Sequence, residues 1–206
     1  MKKIVITIFS ALLLNINYSE AQLFKKKTTN FTSTQLYQIM CWQVKRVEKL
    51  TLNAYKCQAQ KKTVGWEFNT EATGIKSVKS KAHADELFKN LITKKYNEVN
   101  KAFPTLSYMQ KSVIVSLYYN TGSLSAIKKS DFLKHLVAGN TKKAISYFKK
   151  WNKVQVKDKR GNVKYVVSKG LINRREFESK LLAGTFDMKD YESLKKDAQQ
   201  AYQYEK

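Results

Sequence analysis

Three side chains of complementary chemistry follow one another early in the chain: Glu48, Cys57 nine residues later, and Thr63 six residues after that. A carboxyl held among apolar residues such as Val44, Val47 and Leu50 keeps its proton to higher pH than in water and can deliver it as a general acid. A thiol and a hydroxyl across from that acid can position a water molecule. Free thiols ionise only around pH 8.5, so Cys57 is expected to place the water more than to deprotonate it. By residue type alone, a Glu at a helix end is usually a solvated surface group. The elements that carry these groups therefore decide between the two readings.

Thr32, Ser33 and Thr34 offer helix N-caps ahead of Leu36, Ile39, Met40, Val44 and Val47, an apolar stripe at three- and four-residue spacing. This predicts a helix with Glu48 just after its last apolar residue. The period then becomes two. Leu50, Leu52 and Ala54 alternate, and after the polar turn 58–62 so do Val64, Trp66 and Phe68, the pattern of a hairpin. Glu48 would stand at its entry, Cys57 at its turn and Thr63 at the start of its second arm. Alternation along that arm puts Glu67 on the face of Thr63, about 13 Å further on. There it would be either a second acid at the edge of a cleft or an exposed carboxylate paired with a lysine.

The remainder reads mostly as helices. Ala84, Leu87, Phe88, Leu91, Tyr96 and Val99 share one face, and Val113, Ile114, Leu117 and Tyr118 another, broken at Asn120-Thr121-Gly122. A short helix around Phe132, Leu133 and Leu136 ends near Gly139, and the next, capped by Thr141, carries Ala144, Ile145, Phe148 and Trp151. Val154 and Val156 alternate, as do Val163, Tyr165 and Val167, in a second, peripheral hairpin around 158–162. Residues 171–182 read as helix and 184–206 as a charged, weakly amphipathic tail that frays. Helix, small sheet, then helices is an α+β order with the sheet near the N-terminus.

The 206 residues include 39 Lys and Arg against 16 Asp and Glu, a formal charge of +23. This implies an anionic partner: nucleic acid, a membrane surface or a bacterial wall. Seven Gly, one Pro and two Cys exclude collagen-like and disulfide-framework chains. Lys2 and Lys3, the apolar run 4–14 and the small-residue site at Ala21 form an export signal, residues 1–21. The apolar run is too short for a comfortable span, so no stable membrane span is expected after cleavage. Those residues carry Lys2, Lys3 and Glu20, a net +1, so +22 of the +23 remains. Export to the periplasm or outside the cell argues against nucleic acid as the partner. Residues 22–31 read as a flexible leader, 32–183 as the catalytic domain, and a monomer is expected. An oxidising compartment raises the question of a Cys41–Cys57 disulfide. Cys41, however, lies roughly 10 Å back along the helix from Glu48, beyond the ~7 Å Cα separation a bridge tolerates, and reads as a small buried residue.

The run Glu48 to Cys57 followed by Thr63-Val64-Gly65 resembles the phage-type lysozyme (endolysin) family, glycoside hydrolase family 24, whose pattern is E-x8-D/C-x5-T, followed by T-I/V-G-Y-G-H. The resemblance continues in order through Leu106 to Gln110, Leu117 to Gly122, Phe148 to Lys153, and Gly170 to Arg175 with Glu178. It spans roughly residues 36–183. It implies a lysozyme-like fold, with a small β-hairpin lobe and a mainly helical lobe flanking a cleft. It further implies hydrolysis of the β-1,4 bond between N-acetylmuramic acid and N-acetylglucosamine in peptidoglycan, with inversion. In the roles it implies, Glu48 is the general acid, Cys57 and Thr63 hold the attacking water, and Tyr119 and Asn120 line the sugar cleft. The segment from Gly170 to Glu178 reads as a structural helix start with Arg174 or Arg175 in ion pairs.

Where the family has Tyr-Gly-His, this chain has Trp66-Glu67-Phe68, which alters the hairpin's second half. Two other readings therefore stand beside the enzyme: a catalytically weakened cationic wall-binding protein of the same fold, and a membrane-disrupting cationic protein. His83 and His135 read as surface residues. No metal-ligand spacing or phosphate loop is visible, and hydrolysis by two groups requires no cofactor.

Overall fold

The computed structural model describes residues 31–203 except 49, 58–60 and 159. The expected export signal, and the leader up to residue 30, lie outside the described residues. Phe31, assigned to that leader, packs instead on Phe186 and Tyr191, with ring centroids 5.8 and 5.9 Å away.

Helix α1 (Ser33–Lys45) opens with a reciprocal cap: the Thr32 hydroxyl accepts from the Gln35 amide, and the Gln35 side chain accepts from the Thr32 amide. Its stripe buries Ile39, Met40 and Val44. The helix closes through bonds of three-residue span, from the Val47 amide to the Val44 carbonyl (3.2 Å) and from the Glu48 amide to the Lys45 carbonyl (3.3 Å). That tightening turns the chain and delivers Glu48 to the start of the sheet.

The sheet has three antiparallel strands in the order β1 (Leu50–Lys56), β2 (Lys62–Trp66) and β3 (Phe68–Asn69). Leu50 pairs with Trp66 and Tyr55 with Thr63, with an irregularity between Thr51 and Tyr55. The second arm does not run on to Phe68 as alternation predicts. Gly65 (φ 66°) and Glu67 (φ 54°) turn the backbone, and Phe68 folds back to pair with Val64 and Asn69 with Thr63. Glycine is required at 65, because a Cβ there would overlap the Phe68 ring. Glu67 is therefore not displaced along an extended strand from Thr63. It sits in a tight reversal close to it.

Beyond the sheet come α2 (Thr70–Thr73), α3 (Lys81–Ala102), α4 (Tyr108–Thr121), α5 (Leu124–Lys128), α6 (Asp131–Val137) and α7 (Thr141–Phe148). The hairpin β4 (Lys153–Lys157) and β5 (Val163–Val167) follows, then α8 (Lys169–Ala183), α9 (Met188–Gln200) and a 3-10 turn (Ala201–Gln203). Helix α4 is buried nearly all round, from Met109 to Leu117, and packs against α1, α3 and α8. It is the pillar of the core. It ends where the Asn-Thr-Gly signal predicts, with Gly122 at φ 76°. Helix α5 has too few turns to show a period in sequence. Thr141 is not a cap: it is the first helical residue, behind Asn140, whose side chain makes no capping bond.

The tail expected to fray is instead docked. Asp187 forms a capping box with Asp190, and Tyr191, Leu194, Ala198 and Ala201 are buried. Arg46 meets Asp197 at 3.6 Å, Tyr191 donates to Gln38 (2.6 Å), and Tyr202 donates to Asp85 (2.8 Å) behind Trp66. The residues that bury are few, and their stripe is diluted by a lysine-rich outer face. No helix among the described residues is long and apolar enough to cross a membrane.

Candidate active site

Glu48 stands at the junction of three elements: the turn leaving α1, the reversal between β2 and β3, and the inner face of α8. It is only 8% exposed. Arg174 of α8 donates to Glu48 Oε1 at 2.6 Å and to the side chain (3.0 Å) and carbonyl (3.3 Å) of Ser116 on α4. One turn on, Glu178 accepts from Arg174 Nε at 3.4 Å and from the Ser116 hydroxyl. Arg175 Nε approaches the second oxygen of Glu178 to 3.1 Å. The guanidinium of Arg175 also lies over the Phe148 ring, 4.9 Å from its centroid. The sequence suggests Arg174 or Arg175 in ion pairs; both are. That one of them grips Glu48 across 126 positions of chain was not legible.

Burial is the largest influence on Glu48 and raises its pKa. The Arg174 guanidinium opposes the shift, and the neighbouring Glu67 carboxylate adds to it, leaving the group pushed up to about 7. Glu67 also accepts a hydrogen bond from the Tyr55 hydroxyl at 2.8 Å. Burial raises the phenol of Tyr55, and Glu67 raises it further.

Thr63 is buried on β2 opposite Tyr55, and its hydroxyl has no hydrogen-bond partner among the described residues. Cys57 is half-buried. Its amide donates to the Lys61 carbonyl at 2.9 Å, fixing the end of β1 where the thiol projects. Both cysteines are free. Cys41 is half-buried on α1, and burial pushes its thiol up to about 11. Tyr119 packs against Phe88 and donates to the Trp66 carbonyl, tying α4 to the reversal that carries Glu67. Burial raises its phenol, with the Glu48 charge adding to the effect. Asn120, next along α4, is exposed.

The fold thus gathers Glu48, Glu67 and Tyr119 around Arg174, with Thr63 joined to them through Tyr55. Tyr55 is the residue sequence reasoning passed over; its only signal was its position on the hairpin two residues before Cys57. His83 accepts from the Lys79 amide (3.1 Å) and His135 stacks on Tyr147. Among the described residues no cluster of His, Cys, Asp and Glu fits a metal ion.

A small antiparallel sheet against a helical body is the lysozyme-like fold shared with phage endolysins. The phage lysozyme family profile matches residues 45–178, and the chain belongs to that family. An endolysin of Acyrthosiphon pisum secondary endosymbiont phage 1 is 32% identical over 139 residues, covering 67% of this chain and 90% of that protein. An endolysin of Bacillus phage B103 is 33% identical over 141 residues, again 67% of this chain but 50% of the relative. Among solved structures, the endolysin from Escherichia coli O157:H7 phage FAHEc1 superposes with a TM-score of 0.57 at 27% identity, over 75% of this chain and 93% of that one. The muramidase domain of SpmX from Asticaccaulis excentricus shares the fold, with a TM-score of 0.56 at 21% identity over 74% of this chain and 97% of that one. The enzymatic class is that of a peptidoglycan-hydrolysing lysozyme.

Proposed function

We propose that the chain is an exported N-acetylmuramidase that cleaves the β-1,4 bond between N-acetylmuramic acid and N-acetylglucosamine with inversion. The observation that carries this reading is the buried Glu48 carboxyl, pushed up to about 7, because an acid must still hold its proton at working pH to give it away. Glu48 protonates the glycosidic oxygen as the bond to the anomeric carbon breaks. A water held by Thr63 and Cys57 attacks from the opposite face and releases its proton to solvent. The carboxylate left behind faces Arg174 at 2.6 Å, which stabilises it until a proton returns. Tyr119 and Asn120 would contact the sugar chain.

Digestion of purified peptidoglycan tests this. Muramic acid at the new reducing ends is expected, and proton NMR of the first turnovers should show the α-anomer. Glucosamine reducing ends would refute the muramidase reading, and a β-anomer would refute inversion. Wall binding with no new reducing ends would identify a wall-binding protein that kept the fold.

The charge of +22 left after residues 1–21, of the +23 of the whole chain, fits adsorption to an anionic wall. Surface electrostatics of this kind are screened beyond about 8 Å at physiological salt. Lysis of intact walls is therefore expected to fall as ionic strength rises, whereas cleavage of short soluble fragments is not. Equal salt responses for the two substrates would remove adsorption as the role of the charge.

A further inference from the structure

The departure from the family pattern at Glu67 falls on an unusual backbone. Glu67 is the one non-glycine residue with positive φ among the described residues, at 54°. A side chain with a Cβ is disfavoured there. Strained positions persist where the surroundings over-determine them, commonly at working sites, and here both ends of the residue are held. The Tyr119 hydroxyl anchors the preceding carbonyl, that of Trp66, and the Tyr55 hydroxyl donates to the carboxylate at 2.8 Å. The pairing of Leu50 with Trp66 sets the reversal beside the turn that carries Glu48, and the Glu67 charge lies near enough to raise the Glu48 carboxyl.

Counting charges shows what this contact does. From α8, Arg174 and Arg175 bring two positive charges and Glu178 one negative charge. From the α1 turn comes Glu48, from α4 the neutral Tyr119 phenol, and from the reversal Glu67. Without Glu67 the buried cluster is balanced only when Glu48 is ionised, the wrong state for an acid catalyst. With the Glu67 charge added it is balanced when Glu48 keeps its proton. The Tyr55 hydroxyl, donating to Glu67, holds that side chain in the cluster.

We propose that Glu67 is a positioning residue that keeps the Glu48 carboxyl protonated, offsetting Arg174, so that it can act as the general acid. The inference rests on the muramidase reading of Glu48. It also accounts for a bulky acidic residue on a backbone that glycine would occupy more easily.

The test is the pH dependence of kcat/KM on soluble peptidoglycan fragments for wild type, Glu67→Gln and Glu67→Gly. Gln keeps the size and an acceptor for Tyr55 but loses the charge, and Gly relaxes the backbone. Both are expected to move the alkaline limb about one pH unit or more toward acid, with a small change near pH 5. A structural role alone would lower activity evenly and leave the limb in place, and an unmoved limb in both variants overturns the proposal. Carbon-13 NMR of the wild-type glutamate carboxyls, with the Glu48 signal identified by its loss in Glu48→Gln, tests the same point without turnover or folded Glu67 variants. A Glu48 carboxyl already ionised at pH 5.5 would overturn it. If wild type cleaves no peptidoglycan but Glu48 keeps its proton at pH 5.5 and loses it at lower pH in Glu67→Gln, the muramidase reading fails and the positioning by Glu67 stands.

Discussion

Glu48→Gln is expected to lower peptidoglycan cleavage by about 10²–10⁴-fold, the usual contribution of a positioned general acid, while leaving wall binding intact. The amide matches the carboxyl in shape and can still accept from Arg174, but it has no proton to give. In wild type the proton is lost as pH rises through about 7, so kcat/KM should fall above that value. Thermal unfolding offers an independent reading. Between the ordinary carboxylate range and about 7, the folded protein holds a proton on Glu48 that the unfolded chain has released. The unfolded state binds fewer protons, so this group makes stability fall as pH rises across the window. Glu48→Gln lacks that titration. Its melting temperature relative to wild type should therefore rise as pH climbs toward about 7 and level off above that value, where wild-type activity disappears. A variant that keeps more than a tenth of wild-type cleavage, with matched melting curves, would show that the acid lies elsewhere.

Local periodicity made the supports of the site readable. The stripe from Leu36 to Val44, the caps at Thr32 to Thr34 and the change to alternation at Leu50 placed Glu48 at the end of α1 and Thr63 on β2, because each signal spans only a few residues of chain. Alternation failed at Trp66-Glu67-Phe68, where two positive φ angles reverse the strand. Gly65 was a visible warning, but a glutamate in that conformation was not. The docking of α9 was obscured because its buried face is narrow and its energy comes from partners elsewhere, Trp42 against Tyr191 and Trp66 against Tyr202. The i,i+4 spacing of Arg174 and Glu178 announced an ion pair. Its third member, Glu48, arrives only when α8 packs against α4, and no periodicity in the chain encodes that meeting. The electrostatics of the site are for this reason the part least legible in sequence: they depend on which charges the tertiary structure strips of water together.

Glu178→Ala is expected to give the largest loss of stability of any single substitution in this network. Glu178 is fully buried, as is Arg175, and Arg174 is 4% exposed. One carboxylate thus sits between two guanidiniums that water barely reaches. Removing one partner of a buried pair leaves an uncompensated charge and costs about 3–5 kcal/mol, a large fraction of the ~5–15 kcal/mol that holds a typical domain together. Burial already weakens the Arg175 guanidinium, lowering it to about 10 with Glu178 as its chief support, and its terminal nitrogens have no hydrogen-bond acceptor among the described residues. Glu178→Gln should be milder, since the amide still accepts from the Ser116 hydroxyl and Arg174 but returns no charge. Urea unfolding of both variants at pH 6 would order them as wild type, Gln, Ala. A loss below 1 kcal/mol for Ala would mean that water reaches the guanidiniums and that the network does not act as a closed unit. The substitutions should also act on catalysis in a direction that global destabilisation does not predict. With Glu178 gone, Arg174 has Glu48 as its one remaining carboxylate and holds it ionised more firmly. The folded Gln variant should therefore lose activity at lower pH than wild type, the same displacement expected when Glu67 loses its charge.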